Sequence, residues 1–203
     1  PCLGWGCGMA ALFVVLFGLL KSGDHIVCDW TTYSSTHEML DHRLTDFGIT
    51  TTFVDTADIE SVKSAIQENT RLIYFETIAN PTMKVADMAA LVEAAQHHEI
   101  LTVCDNTFAS PCVIRPLDWG VDLVVQSATK FISGHSAVIG GALCMKSKVL
   151  PADFLEQIRW DTMVKWGSPL APVNAWPLLR GLQHLAIRVE GQCQAAHNRA
   201  HTC

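Results

Sequence analysis

The chain has 203 residues, 49% of them hydrophobic and only 17% charged, with a net charge of -6. That length holds one large domain or two small ones, and the low charged fraction means much surface is buried or normally covered. An acidic chain with no Lys/Arg cluster excludes a nucleic-acid-binding role, which needs basic patches.

The elements alternate along the chain. A glycine-rich turn (Gly4, Gly6, Gly8) leads into an apolar helix from Met9 to Lys21. Its apolar run, Met9 to Leu20, is too short to span a bilayer and lacks a basic flank, so it reads as a buried helix and not a membrane or signal segment. A strand at His25–Asp29, a helix at Thr36–Phe47 and a strand at Thr50–Val54 follow. Asp58 is placed to cap a helix with Ile59, Val62 and Ile66 on one face. Next come a strand at Arg71–Glu76 and a helix capped by Asp87 that runs to His98. Strands at Leu101–Asp105, Val121–Gln126 and Val138–Met145 complete the core; beyond Ser147 the pattern is helical, broken by Pro169, Pro172 and Pro177.

The strands are continuous apolar runs, as expected for burial on both faces. Repeated β-α units of this kind predict an α/β fold with a mainly parallel sheet flanked by helices, as one domain over residues 1–203. In such sheets ligands sit at the carboxyl ends of the strands. Asp105 and Lys130 both fall there, and both are expected to be buried. An amine and an acid at neighbouring strand ends suit pyridoxal phosphate: the amine forms a Schiff base and the acid keeps the pyridine nitrogen protonated. Ser127 and Thr129 precede Lys130 and offer hydroxyls to a phosphate, while Gly134 and His135 permit a tight turn after it. Read alone, Asp105 fits a turn-capping aspartate equally well, and Tyr33 an ordinary loop aromatic.

Five motifs occur in one order along the chain. They are Cys7-Gly8-Met9-Ala10, Glu76-Thr77-Ile78-Ala79-Asn80-Pro81-Thr82, Asp105 to Pro111, Ser127 to Gly141, and Asn174 to Gly181. In these the sequence resembles the Cys/Met-metabolism family of pyridoxal-phosphate enzymes, the trans-sulfuration group. That group includes methionine γ-lyase, cystathionine γ-lyase, cystathionine γ-synthase and the homoserine-ester sulfhydrylases. The resemblance implies the large domain of the aspartate-aminotransferase type (fold type I). It implies a lyase or transferase acting at Cγ or Cβ of a small amino-acid substrate, in a cytoplasmic homo-oligomer.

It also implies roles. Lys130 carries the cofactor and acts as general base. Tyr33 stacks on the ring and assists the leaving group. Asp105 pairs with the pyridine nitrogen, and Asn80 touches the phenolic-oxygen side. Gly8 and Met9 bind the phosphate through their amides, and Ser127 and Thr129 complete that cup. Glu76 accompanies Asn80 as a direct or an indirect contact.

Some features depart from the family. Nothing matches its N-terminal segment, whose Tyr and Arg reach a neighbouring subunit, or its C-terminal domain with the Arg for the substrate carboxylate. Arg180 and Arg188 belong to another motif and do not fill that role. A partial chain of this kind is expected to expose apolar surface and to associate. Ser34-Ser35 stands where methionine γ-lyases have Gly-Cys, Ala137 replaces a commonly polar residue, and no Lys-Asp pair lies near Met163-Val164. These points weaken assignment to that one enzyme.

Two other readings stay open. One is a non-catalytic or truncated protein that keeps the fold and the cofactor. The other is a metal module built on Cys193, His197, His201 and Cys203, the first three at four-residue spacing. The scatter of the eight cysteines is that of reduced thiols and not of a disulfide framework.

Overall fold

The computed structural model describes residues 1–201. Within them seven strands form one sheet: β1 (Cys2–Trp5), β2 (His25–Asp29), β3 (Thr50–Val54), β4 (Thr70–Glu76), β5 (Leu101–Asp105), β6 (Leu123–Ser127) and β7 (Gly141–Met145). Their order is β1-β7-β6-β5-β4-β2-β3. The run β6-β5-β4-β2-β3 is parallel throughout, and β7 runs antiparallel to both β6 and β1. The mainly parallel sheet read from the sequence is therefore present.

Alternation along each strand builds two cores. Leu72 and Tyr74 of β4 pack on one face with Leu12 and Leu16 of α1 (Gly8–Leu19). Ile73 and Phe75 pack on the other with Val62 of α3 (Ile59–Ala65) and Leu91 of α4 (Met88–His97), while α2 (Ser34–Glu38) lies in the connection from β2 to β3. Burying each such aliphatic side chain is worth about 1.5–3 kcal/mol. Asp58 and Asp87 cap α3 and α4 as expected, each accepting a backbone N–H from the first turn.

Three local expectations need correction. Cys2–Trp5 is an edge strand and not part of a glycine turn; Gly4 sits where a Cβ would lie 3.0 Å from Leu170. The helix expected over Thr36–Phe47 breaks into α2, a π-helical turn Met39–Arg43 and a 3₁₀ turn Thr45–Phe47. The wider turn buries both Leu40 and Leu44, with Leu44 N–H reaching the Met39 carbonyl at 2.9 Å. Strand β7 starts at Gly141 and not Val138, because Thr129 binds both backbone groups of Gly140 and holds that residue in a loop.

A short helix, α5 (Ser110–Val113), lies between β5 and β6; the C-terminal region is helical, through α6 (Phe154–Ile158), α7 (Val164–Trp166), α8 (Pro172–Gln183) and α9 (Leu185–Ala200). Pro172 opens α8 instead of breaking it, and Pro177 lies inside that helix. Trp160, Trp166, Trp176 and Ile187 are exposed on this side. Among the described residues no helix is long and apolar enough to cross a membrane.

Candidate active site

The parallel strands end on one edge of the sheet, and the loops leaving them meet there. β2 leads to Tyr33, β4 to Asn80, β5 to Thr107 and β6 to Lys130, while β1 leads into the first turn of α1. Together they enclose a cavity of about 350 Å³ lined by Gly8, Met9, Tyr33, Asn80, Asp105, Ser127, Thr129 and Lys130. Every site residue expected from the sequence thus borders one space. Lys130 is exposed toward it and not buried as expected, since it lies on the turn after β6 and not within the strand.

At one end of the cavity stands the N-terminus of α1. Its first amides, at Gly8 and Met9, have no helical carbonyl partners, and the helix dipole adds positive potential there. Cys7 caps the helix through its sulfur, which accepts the Ala10 N–H at 3.3 Å. A Cβ at Gly8 would stand 2.8 Å from Ser127 Cβ and 3.2 Å from its Oγ, so the bare backbone presses against the end of β6. This leaves a cradle of backbone amides and a serine hydroxyl, which suits a phosphate. The hydroxyl of Thr129 also lines the cavity but donates to the Gly140 carbonyl at 3.2 Å, so it holds the cradle's wall as well.

Two carboxylates also line the cavity. The β4–β5 register sets Glu76 beside Asp105. Burial raises the Asp105 carboxyl above its ordinary range, against the pull of the Thr107 hydrogen bonds. Thr107 N–H donates to Asp105 Oδ1 at 2.8 Å, and its hydroxyl accepts the Ser127 N–H at 2.7 Å. Thr107 therefore ties the acid to the cradle. Its signal was present in the sequence, as a hydroxyl two residues after a strand-end aspartate, but a short turn of this kind is too common to single out.

Glu76 accepts the Tyr33 N–H at 2.6 Å and the Thr32 hydroxyl at 3.1 Å on one oxygen. The Asn80 N–H reaches its other oxygen at 3.3 Å. One carboxyl thus pins both the Tyr33 loop and the Asn80 turn. Burial, opposed by the Tyr33 N–H and reinforced by the Asp105 charge, pushes it up to about 7.

The loop after Lys130 is held from outside the sheet. Arg188 of α9 donates to the carbonyls of Phe131 (2.8 Å), Ile132 (3.2 Å) and Gly181 (2.9 Å), and to His184 Nδ1 (2.7 Å). Gly134, at φ 74°, leaves room for that guanidinium: a Cβ there would meet Arg188 Nη1 at 2.2 Å. Phe108 and Phe131 complete the apolar wall, edge to face with centroids 6.2 Å apart.

In the tail, His197 and His201 approach to 3.1 Å, but among the described residues no group of three potential ligands converges on a metal site. Cys203, the fourth member of that candidate cluster, lies outside the described residues.

A two-sided, mostly parallel sheet with such a cavity at its carboxyl edge is the plan of a pyridoxal-phosphate-dependent enzyme. The chain belongs to the Cys/Met metabolism PLP-dependent enzyme family, whose profile matches residues 1–202. It is 42% identical over 190 residues to an L-methionine gamma-lyase of Fusobacterium nucleatum, covering 93% of this chain and 47% of that protein. It is 41% identical to a cystathionine beta-lyase of Bacillus subtilis, covering 95% of this chain and 48% of that one. Among solved structures, a Campylobacter jejuni chain assigned as an O-acetylhomoserine (thiol)-lyase superposes with a TM-score of 0.93 at 32% identity. That match covers 97% of this chain and 56% of the other, which carries a pyridoxyl-lysine monophosphate. The chain spans about half the length of the curated relatives it matches.

The cofactor of this family is pyridoxal phosphate, and the residues present fit it. The cradle at Gly8 is too tight for a side chain and rich in N–H donors, and Asp105, whose ionisation burial disfavours, lines the same cavity. A cationic ring nitrogen would relieve that carboxyl.

Proposed function

We propose that the protein is a PLP-dependent lyase or transferase of sulfur amino-acid metabolism. It acts at Cγ or Cβ of methionine, cystathionine or an O-acyl-homoserine, within a homo-oligomer. The observation that carries this reading is the convergence of the cradle, Asp105, Tyr33 and Lys130 on one cavity. The relatives' names support the substrate class.

When bound, pyridoxal phosphate supplies an electron sink for charge developing at the substrate's Cα. The chain's own groups do the rest. The amides of Gly8 and Met9, with the hydroxyls of Ser127 and Thr129, hold the phosphate. Asp105, fixed by Thr107, would pair with the ring nitrogen and keep it protonated. Tyr33, which lines the same cavity, would stack on the ring and assist the leaving group. Asn80 contacts the phenolic-oxygen side. Lys130 Nζ would hold the cofactor covalently and, once the substrate amine has displaced it, would serve as the general base for the Cα proton. Phe108 and Phe131 keep water from that side of the pocket.

Borohydride reduction of the cofactor-loaded protein, followed by peptide mapping, tests the assignment. The label is expected on Lys130, with α-keto acid released from methionine, cystathionine or O-acetylhomoserine. Label on another lysine would overturn it.

A further inference from the structure

Away from the cavity, two thiols face each other across the β1–β7 pair. Cys2 and Cys144 are directly opposite in register. Met145 N–H donates to the Pro1 carbonyl at 3.1 Å, which makes that neighbouring pair the hydrogen-bonded one. Cys2 and Cys144 therefore occupy a non-hydrogen-bonded position, where antiparallel side chains come closest, with Cα atoms about 4.5 Å apart. Their sulfurs are 2.8 Å apart, and the Cys144 thiol donates to Cys2. A disulfide needs the sulfurs roughly 0.8 Å closer, and the Cα spacing already lies in the disulfide range.

We propose that Cys2 and Cys144 form a reversible redox disulfide that staples β1 to β7. Cys2 is exposed and accepts the other thiol's hydrogen, so it is the attacking sulfur; Cys144 is partly buried and resolves. The Cys144 hydrogen bond, opposed by burial, lowers the Cys2 thiol, in keeping with this order. The oxidant is a small disulfide, RSSR. The Cys2 thiolate displaces one RS⁻ and forms a mixed disulfide. Cys144 sulfur then attacks Cys2 sulfur and releases the second thiol, so one RSSR yields the protein disulfide and two RSH. The stapled strands carry the cradle at their far end: Trp5 is opposite Gly141, and a Cβ on Gly141 would meet the Cys7 carbonyl oxygen at 2.1 Å. The staple thus ties the floor of the anion site without touching it.

The test uses the full-length protein, fully reduced and then exposed to oxidised glutathione, with thiol alkylation and non-reducing peptide mapping. A Cys2–Cys144 peptide pair is expected, lost on reduction and absent in Cys2→Ser. In Cys144→Ser, glutathione should remain attached to Cys2. A wild-type protein whose Cys2 stays alkylatable, or keeps glutathione as stably as Cys144→Ser does, would overturn the proposal. Cys112 and Cys193, both exposed, serve as internal controls for non-specific oxidation.

Discussion

Replacing Glu76 by Gln should abolish the pH dependence that this one carboxyl imposes on stability. Burial raises its pKa from 4.5 to about 7. Between those values the folded chain holds a proton that the unfolded chain has released, so stability falls as pH rises. At about 1.36 kcal/mol per pH unit, the full loss is roughly 3 kcal/mol, complete above pH 7. Gln removes the titration but sets an amide where the Asn80 N–H binds, 3.3 Å away, and that lost bond costs about 1 kcal/mol. The two proteins should therefore be near parity at pH 5, with the variant about 2 kcal/mol more stable at pH 8. Urea denaturation of the full-length protein without cofactor, across pH 5 to 8, measures this. Parallel stability curves for the two proteins would refute the account of Glu76 as a clamp strained by its own charge.

Lys130→Ala should abolish covalent attachment of pyridoxal phosphate and reduce turnover to background, seen in the loss of the bound-cofactor absorbance band. Asp105→Asn removes a charged hydrogen-bond partner worth about 1.5–3 kcal/mol, so cofactor affinity should fall about 10- to 100-fold by spectroscopic titration. Gly8→Ala forces a methyl to within 2.8 Å of Ser127 Cβ; the expected cost is about 1–3 kcal/mol of stability, with weaker phosphate binding, by thermal unfolding with and without inorganic phosphate. Arg188→Ala strands the carbonyls of Phe131, Ile132 and Gly181 and should cost about 3 kcal/mol, read as a lower urea midpoint.

The parts of the fold set by burial were legible in the sequence. β2 and β4 are apolar runs because helices cover both their faces, and Asp58 and Asp87 announced the helices they cap. The parts set by distant partners were not. Cys2–Trp5 is a strand because β7 receives it, 140 residues away in the register pair Leu3–Leu143, and no local pattern encodes that. The π-helical turn after Glu38 follows from burying two leucines against the sheet, a tertiary demand that overrides helical periodicity. In the site, residues with distinctive chemistry at strand ends could be read directly: Lys130, Asp105, Ser127. Thr107 and Arg188 could not, because their value lies in what they hold, and their partners are Ser127 and the Phe131–Ile132 carbonyls far along the chain.

The guanidinium of Arg188 has a mechanical consequence. It rivets the segment just past Lys130 to a sixteen-residue rod, α9, about 24 Å long at the usual rise per residue. Segment and rod therefore travel together. Loosening the rod near Arg188 would therefore loosen the backbone beside Lys130, although no atom of the rod lines the cavity.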